Sequence, residues 1–292
     1  MSKEPGRPGP GSPGVLQRLK AAGLAPRKGL GQHFLHDPKL LEAMTDAAEL
    51  TPGEGVFEVG TGPGTLTRHL AAHARRVFSV EVDARLVAFA GRELEDLDNV
   101  EILEADVLER KSQLNPQVAE KLRELGAFRW VSNLPYSVAT PLILAVLGAN
   151  LPWRRCVLTV QWEMAERLCA APGDPGYGAA TALVRFWAIA RTLRRIGAGT
   201  FWPPPRVESA VLELEPRDPP LVTTCYQAYR TWVRALFRSR RKQLRTLLKE
   251  VLGPAEAARA LELGGWEPER RAETFDVSDF LLLAENFRSF SH

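Results

Sequence analysis

The chain has 292 residues, 45% hydrophobic and 25% charged, which is the composition of an ordinary globular protein with material for about two domains. Three widely separated cysteines without a C-x-x-C pair argue against a disulfide framework or a zinc site, and no apolar run reaches the roughly 18 residues that span a bilayer. The net charge of +3 hides an asymmetry, because residues 185–250 hold 14 Lys or Arg against 5 Asp or Glu, a balance of +9 that leaves −6 for the rest.

The first residues are rich in proline and glycine. Residues 1–14 include eight of them and almost nothing apolar, so we predict a disordered tail, followed by a short helix over Val15–Leu24. The stretch GLGQHFLHD at 29–37 leads into a helix with Asp37 as N-cap and Pro38 at its first position. On its pattern alone, this loop either caps the fold or closes over a ligand.

A glycine-rich turn follows the first buried strand. The run Val56–Val59 ends in Gly60, Gly62 and Gly64, and the residues from Thr65 are typical of a helix start. Because glycine has no Cβ, such a turn lets backbone N–H groups approach a ligand closely. The spacing G-x-G-x-G differs from the dinucleotide pattern G-x-G-x-x-G, which favours a cofactor without a pyrophosphate.

An acidic residue ends the second predicted strand. The apolar run Val77–Val80 is followed by Glu81, 21 positions after Gly60. A carboxylate at about this distance from the first glycine, on a strand tip, is placed to accept hydrogen bonds from ribose hydroxyls. The turn and the carboxylate together predict an adenosine-containing cofactor, and the missing pyrophosphate pattern favours S-adenosylmethionine.

The third predicted strand ends in a further carboxylate. A helix over residues 83–97 and a strand over 100–103 precede Asp106. This residue would lie at the carboxyl edge of a parallel sheet, where ligands bind in doubly wound folds. Asp106 either accepts a hydrogen bond from an adenine amino group or serves as a helix N-cap.

The fourth predicted strand ends in the tetrapeptide NLPY. A helix over 114–125 and a strand over 129–132 precede Asn133, Leu134 and Tyr136. An amino group on an aromatic ring is a weak nucleophile, because its lone pair is delocalised into the ring. The side-chain oxygen of Asn133 and the carbonyl of Leu134 can accept its two hydrogens and favour the pyramidal, nucleophilic form. Tyr136 can stack on the base and lie near a sulfonium.

Three further strands are predicted. A strand over 156–160 and a helix over 161–168 precede two last strands, over 182–189 and 207–214, expected as an antiparallel pair. Three consecutive prolines between the last two could present Phe201 or the tryptophan after it to a nucleobase. The alternative is that these aromatics are buried in a hinge.

A second domain is predicted after the prolines at 216–220, so that residues 15–217 form a catalytic domain and 218–292 a small helical one. A single helix from Tyr226 through Lys249 would combine an apolar stripe with a basic face suited to phosphates. The segregated charge favours a polyanionic partner, the alternative being a solvated basic face. The cations expected to contact RNA are Arg238, Arg240, Arg241 and Lys242.

The chain resembles the ribosomal RNA adenine N6-dimethyltransferases, of the KsgA type that acts on small-subunit RNA. The resemblance runs from about Arg27 to Phe287 and includes GQHFL, EVGTGPGTLT, VEVD, EADVLE, NLPYSVATPLI, QWEMAERL, FWPPPRVESA, FRSRRKQLRTLL and RRAETF. It implies the α/β fold of a class I S-adenosylmethionine-dependent methyltransferase, Rossmann-like with a seven-stranded, mostly parallel sheet, and a small helical C-terminal domain.

The resemblance also implies an activity and its residues. The activity is dimethylation of two adjacent adenosines in the 3′-terminal hairpin of small-subunit ribosomal RNA, with S-adenosylhomocysteine as product, no metal, and a role in small-subunit biogenesis. A cytoplasmic monomer that acts on the immature subunit, without a membrane, is expected. The implied cofactor contacts are His33, Leu35, Gly60, Glu81, Asp106 and Asn133. The implied adenine-binding and catalytic residues are Asn133, Leu134 and Tyr136, with Phe201 as a second stacking partner.

Other interpretations remain open at this point. Enzymes that methylate a glutamine side chain face the same delocalised amine, but they tend to use N-P-P-Y and would leave the basic segment unexplained. An RNA-binding assembly factor without turnover would not need an intact glycine turn or NLPY. The related large-subunit methyltransferases share the first half of the chain, although NLPY with the RRK and RAE elements fits the small-subunit type better.

Overall fold

The computed structural model describes residues 14–51, 53–110, 112–218, 221 and 223–287, so the predicted tail lies outside the described residues except for Gly14. Two compact units are formed, one by the described parts of residues 1–165 and 191–215, the other by those of 166–190 and 216–292. The predicted boundary after residue 217 lies close to the third passage of the chain between units, after residue 215. The two earlier passages, after residues 165 and 190, were not predicted.

A seven-stranded, mostly parallel sheet organises the first unit. Its order is β4-β3-β2-β7-β8-β11-β9, with parallel pairing from β4 to β8 and antiparallel pairing of β11 with β8. This confirms the predicted class I methyltransferase fold. The strands are β1 Phe34–Leu35, β2 Gly55–Val59, β3 Arg76–Glu81, β4 Val100–Glu104, β5 Leu108–Arg110, β6 Gln113–Leu114, β7 Phe128–Asn133, β8 Trp153–Gln161, β9 Ala188–Ile196, β10 Phe201–Trp202 and β11 Ser209–Pro216.

Helices flank the sheet and make up most of the second unit. Those of the second unit are α8 to α12, and α7 crosses from the first unit into it. The helices are α1 Val15–Ala21, α2 Pro38–Ala47, α3 Thr65–Ala71, α4 Ala84–Glu93, α5 Pro116–Leu125, α6 Ala139–Leu147, α7 Trp162–Cys169, α8 Ala179–Trp187, α9 Tyr226–Phe237, α10 Leu244–Leu252, α11 Pro254–Gly264 and α12 Val277–Asn286.

The central strands are buried on both faces. Every residue of β2 is buried, and the ring of Phe57 lies 5.7 to 6.0 Å from the rings of Phe78, Phe128 and Trp130 on the neighbouring strands. Parallel strands covered by helices on both sides are near-continuous apolar runs, which explains why the sequence predicted them. At the start of α2, the Asp37 carboxylate accepts the Lys39 N–H at 2.9 Å, so the predicted N-cap is confirmed.

The position of β2 creates a crevice. The chain passes from β2 to β3 on one side and later places β7 on the other. In open α/β sheets, ligands bind at such a switch point, beyond the carboxyl ends of the strands. The ends of β2, β3 and β7, at Gly60, Glu81 and Asn133, therefore meet at one edge of the sheet.

The strand predicted over residues 182–189 is wrong except for its last two residues. Residues 179–187 form α8, and the strand begins only at Ala188. An apolar run that is buried all round has no periodicity to separate helix from strand. Within the second unit, Phe186 of α8 packs 4.8 Å from Tyr229 of α9, and the Tyr229 hydroxyl donates to the Ala182 carbonyl at 2.7 Å. Tertiary packing therefore decided the element.

The single basic helix predicted over residues 226–249 is also wrong. The chain leaves helical conformation between α9 and α10, and the Leu244 N–H donates to the Arg270 carbonyl at 2.7 Å. A continuous helix would align the like charges of residues 238–242 at spacings of three and four, which is unfavourable. The break leaves Arg238, Arg240, Arg241 and Lys242 exposed in the connection.

Candidate active site

An open cleft lies at the carboxyl ends of β2, β3 and β7. Its wall comes from residues 29–34, the glycine turn, and residues 80–82, 105–107 and 133–138. The cleft contains about 990 Å³ of empty space, including the part open to solvent. Five segments that are distant in sequence thus converge on one open cleft.

The glycine turn has a backbone that other residues rarely adopt. Gly60, Gly62 and Gly64 have φ of 84°, 56° and 81°, in the left-handed region. A Cβ added at Gly62 would lie 3.2 Å from the ring of Phe34. The turn therefore brings bare backbone to the cleft wall and leaves little room for a side chain between the turn and the N-terminal segment.

Glu81 is a buried carboxylate at the cleft wall, with a residue exposure of 5%. Its Oε2 accepts the Gly62 N–H and its Oε1 accepts the Asp83 N–H, both at 2.9 Å. Burial raises the pKa of the carboxyl, and the backbone hydrogen bonds oppose this shift. Two carboxylate oxygens offer about four acceptor sites, so Glu81 can brace the glycine turn and still accept a hydrogen bond from a ligand.

A second buried carboxyl group, that of Glu58, supports the glycine turn through hydroxyl side chains. Glu58 Oε2 accepts hydrogen bonds from the hydroxyls of Thr67 and Ser79, both at 2.7 Å, and the Ser79 hydroxyl lies 2.6 Å from that of Thr61. Burial raises the pKa of Glu58 to about 8, against the effect of the two hydroxyls. This network connects the interior of β2 and β3 to the turn that faces the cleft.

The raised pKa of Glu58 predicts a pH-dependent stability. The folded-state pKa of about 8 exceeds the ordinary value of 4.5. The contribution of Glu58 protonation to the free energy of unfolding is therefore complete below about pH 4.5 and is lost as pH rises through 8. For Glu58→Gln, which stays neutral, we expect the loss of unfolding free energy between pH 5.5 and 8.5 to be smaller than in the wild type by roughly 3 kcal/mol. Urea unfolding at both pH values measures it. Glu104→Gln, at an exposed strand end, is the control, and equal pH slopes for wild type and Glu58→Gln would contradict the assignment.

Asp106 also lies at the cleft, and its side chain is exposed. Its Oδ1 accepts the Leu108 N–H at 2.9 Å, and β5 follows. The helix-capping alternative is therefore wrong, because no helix begins there. The carboxylate keeps further lone pairs, and its expected contact with an adenine amino group stays a prediction.

The N-terminal segment closes one side of the cleft. The His33 Nδ1–H donates to the Pro203 carbonyl at 2.7 Å, since a carbonyl can only accept. Gln32 donates to Asp83 at 3.2 Å, and the Arg85 guanidinium beside this carboxyl lowers its pKa to about 2. The sequence left open whether this loop caps the fold or closes over a ligand, and the structure places it at the cleft wall.

Asn133 is held at both ends of its amide. Its Nδ2 donates to the His33 carbonyl at 2.7 Å, and its Oδ1 accepts from the Thr159 hydroxyl. Tyr136 donates or accepts a 2.6 Å hydrogen bond with the Ser209 hydroxyl, and burial raises the pKa of its phenol. Its ring is stacked on that of His33, 5.7 Å away and inclined by 21°.

Two predicted contacts lie outside the cleft wall. Leu35 is 4% exposed and Phe201 is 2% exposed, and they pair with each other across β1 and β10 in the hydrophobic core. Phe34 lines the cleft in place of Leu35. The expected roles of Leu35 and Phe201 stay predictions, and the geometry gives them no support, because the buried Phe201 ring offers no face to a base.

The model of the ribosomal RNA adenine dimethylase family matches residues 23–288, which include every segment of the cleft. The chain belongs to this family. The predicted enzyme class, an rRNA adenine dimethyltransferase, is thereby confirmed.

Three relatives of this dimethylase are informative. A ribosomal RNA small subunit methyltransferase A from Geobacillus thermodenitrificans (strain NG80-2) is 37% identical over 283 residues, covering 94% of this chain and 95% of the relative. The crystal structure of the 23S rRNA methyltransferase ErmE has a TM-score of 0.66 at 26% identity, covering 88% of this chain and 100% of that one. A dimethyladenosine transferase from Plasmodium falciparum has a TM-score of 0.75 at 24% identity, over 88% and 98% of the two chains, and supports the fold alone.

Several polar residues of the dimethylase site were missed by the sequence analysis. Thr159 and Ser209 contact Asn133 and Tyr136, and Gln32 contacts Asp83. Thr159 and Ser209 lie inside buried strands, where a hydroxyl is hidden by its apolar neighbours. Only strand register could have revealed Thr159, since Asn133 pairs with it across β7 and β8.

No group of three or more His, Cys, Asp or Glu side chains that could hold a metal ion occurs in the part of the chain that the structure describes. Nor does any helix of the described ranges have the length and apolar character needed to cross a membrane.

Proposed function

We propose that this dimethylase transfers methyl groups from S-adenosylmethionine to the N6 amino groups of two adjacent adenosines in the 3′-terminal hairpin of small-subunit ribosomal RNA. The observation that carries the proposal is the convergence of Glu81, Asp106 and the NLPY segment on one cleft. The choice of the small subunit rests on the relative of that name, which is aligned over 94% of this chain. We further propose a cytoplasmic monomer that acts on the immature subunit during its biogenesis.

The residues of the cleft fit the proposed cofactor. A buried carboxylate with free lone pairs suits ribose hydroxyls, and the bare backbone at Gly60 and Gly62 suits close approach of a ligand. Glu81 would hold the ribose, Asp106 the adenine amino group, and the segment at His33 would cover them. When bound, the cofactor supplies an electrophilic methyl group on a sulfonium.

The target amine, which accepts the methyl group, would be held by hydrogen bonds to the loop that follows β7. Asn133 Oδ1 and the Leu134 carbonyl would accept its hydrogens and localise its lone pair. Tyr136 would stack on the base through the face that His33 leaves uncovered. No general base is required, because the alkylated amine loses its proton readily to solvent.

Reaching the amine requires that the adenosine leave its loop. A base inside a stack cannot present its amino group to a cleft, so the nucleotide is drawn out at a cost of a few kcal/mol, as in other enzymes that act on bases. Binding of RNA phosphates would offset part of this cost, and the exposed residues placed to bind them are Arg238, Arg240, Arg241 and Lys242.

The function is tested by mass spectrometry of small-subunit RNA. Small subunits from cells that lack this activity are incubated with the protein and S-adenosylmethionine. The mass of the 3′-terminal fragment of their RNA is then measured. Addition of four methyl groups to two adjacent adenosines is expected. Large-subunit RNA and ribonuclease-treated substrate serve as controls. Transfer to large-subunit RNA alone, or transfer that survives ribonuclease, would overturn the proposal.

The basic connection has its own test. For the variant with Ala at Arg238, Arg240, Arg241 and Lys242, we expect weaker RNA binding and a smaller salt dependence, because each lost phosphate contact lowers the slope of log K against log salt by about 0.7 to 0.9. Filter binding between 50 and 200 mM salt measures both. A matched control replaces Arg92, Arg110 and Arg123 of the first unit with Ala. An unchanged slope would remove these four residues from the RNA interface.

A further inference from the structure

Thr159 lies in the middle of the sheet, directly beneath the proposed acceptor site. It is on β8, paired with Asn133 of β7 on one side and with Val211 of β11 on the other. Its residue exposure is 0%. A hydroxyl at such a position has no water available and must find its partner within the protein.

The polarity of the Asn133 amide is decided by its two partners. The His33 carbonyl can only accept, so the Asn133 NH2 faces it, at 2.7 Å. The amide oxygen then faces the Thr159 hydroxyl, which donates to it. A flipped amide would place its oxygen against the His33 carbonyl oxygen, which is unfavourable. The hydroxyl therefore fixes one lone pair of Oδ1 and leaves the other for a ligand.

The backbone of Thr159 holds the next residue as well. Its carbonyl accepts the Leu134 N–H at 3.3 Å. The peptide between Asn133 and Leu134 is therefore anchored to the same residue that anchors the Asn133 side chain. The two acceptors proposed for the amine, Asn133 Oδ1 and the Leu134 carbonyl, therefore belong to two residues that Thr159 holds.

We infer that Thr159 is a positioning residue for methyl transfer, whose hydroxyl holds the Asn133 amide oxygen in the direction from which it accepts a hydrogen of the target amine. This inference rests on the proposed function. Thr159 touches neither cofactor nor base, and it acts through Asn133. Because acceptors for a reacting amine must be held within a fraction of an ångström, loss of the hydroxyl lowers turnover and not cofactor binding.

Kinetics with three variants test the consequence for transfer. For Thr159→Val, which keeps the shape and removes the hydroxyl, we expect kcat to fall about tenfold, with KM for S-adenosylmethionine within about twofold of the wild type. Thr159→Ser should recover most of the lost rate. Thr45→Val is the matched control, because it removes a buried hydroxyl whose bond goes to the Leu41 carbonyl of α2. An unchanged kcat for Thr159→Val, or an equal loss in Thr159→Ser, would overturn the inference.

A second measurement does not depend on the substrate. The side-chain NH2 signals of Asn133, assigned by their loss in Asn133→Ala, should exchange with solvent at least about threefold faster in Thr159→Val, since the amide is then held at one end only. Unchanged exchange would overturn the inference even if kcat falls. If wild-type protein is inactive on small subunits, the proposed function fails, and the exchange rates still decide the role of Thr159.

Discussion

Replacing Asn133 with alanine should reduce methyl transfer to small-subunit RNA by at least about 100-fold, the scale seen when one preorganised polar group is removed from a reacting centre. The physical reason is that Oδ1 is the side-chain acceptor at the end of β7, held by Thr159 and oriented by the His33 carbonyl. Without it, the amine keeps its lone pair in the ring. Transfer of tritium from labelled cofactor measures the rate.

Cofactor binding should survive the same substitution. Asn133→Ala removes one hydrogen bond to the His33 carbonyl, which contributes about 1 kcal/mol, so the dissociation constant should rise less than about tenfold. Asn99→Ala is the control, because Asn99 is a half-buried asparagine whose bonds go to the carbonyls of Ala71 and Ala74. Undiminished transfer by Asn133→Ala would refute its role, and loss of cofactor binding would reassign it.

Replacing Glu81 with alanine should weaken cofactor binding by at least about 100-fold. Two hydrogen bonds donated by ribose hydroxyls to a carboxylate contribute about 1.5 kcal/mol each, which corresponds to a factor of this size. The substitution also leaves the Gly62 N–H without its acceptor, so the glycine turn loses its brace. Isothermal titration with S-adenosylhomocysteine measures the affinity directly.

The register of the sheet supplies the control for Glu81. Glu104 pairs with Glu81 at the end of the adjacent strand β4, and it is exposed. Glu104→Ala removes a carboxylate from the same edge of the sheet, and the dissociation constant should stay within about twofold of the wild type. An equal effect of the two substitutions would show that net charge at this edge, and not the position of Glu81, controls affinity.

The sequence by itself determined the strand ends that carry the chemistry. Gly60, Glu81, Asp106 and Asn133 could be placed from short apolar runs that stop at a polar residue or glycine, because fully buried parallel strands have little else in their pattern. The carboxyl ends of such strands lie at one edge, so proximity in space followed from order in the chain. The predicted fold class was confirmed for the same reason.

Only the tertiary structure decided the rest. Residues 182–187 are helical and the basic run at 238–242 is a connection, because packing partners and hydrogen bonds from distant segments outweigh local propensity. The burial of Phe201 and the bond from Thr159 to Asn133 depend on strand pairing across 166 and 26 positions of sequence, between β1 and β10 and between β7 and β8. A local pattern carries no signal for such pairs, so the partners of a functional side chain emerge only when the sheet is assembled.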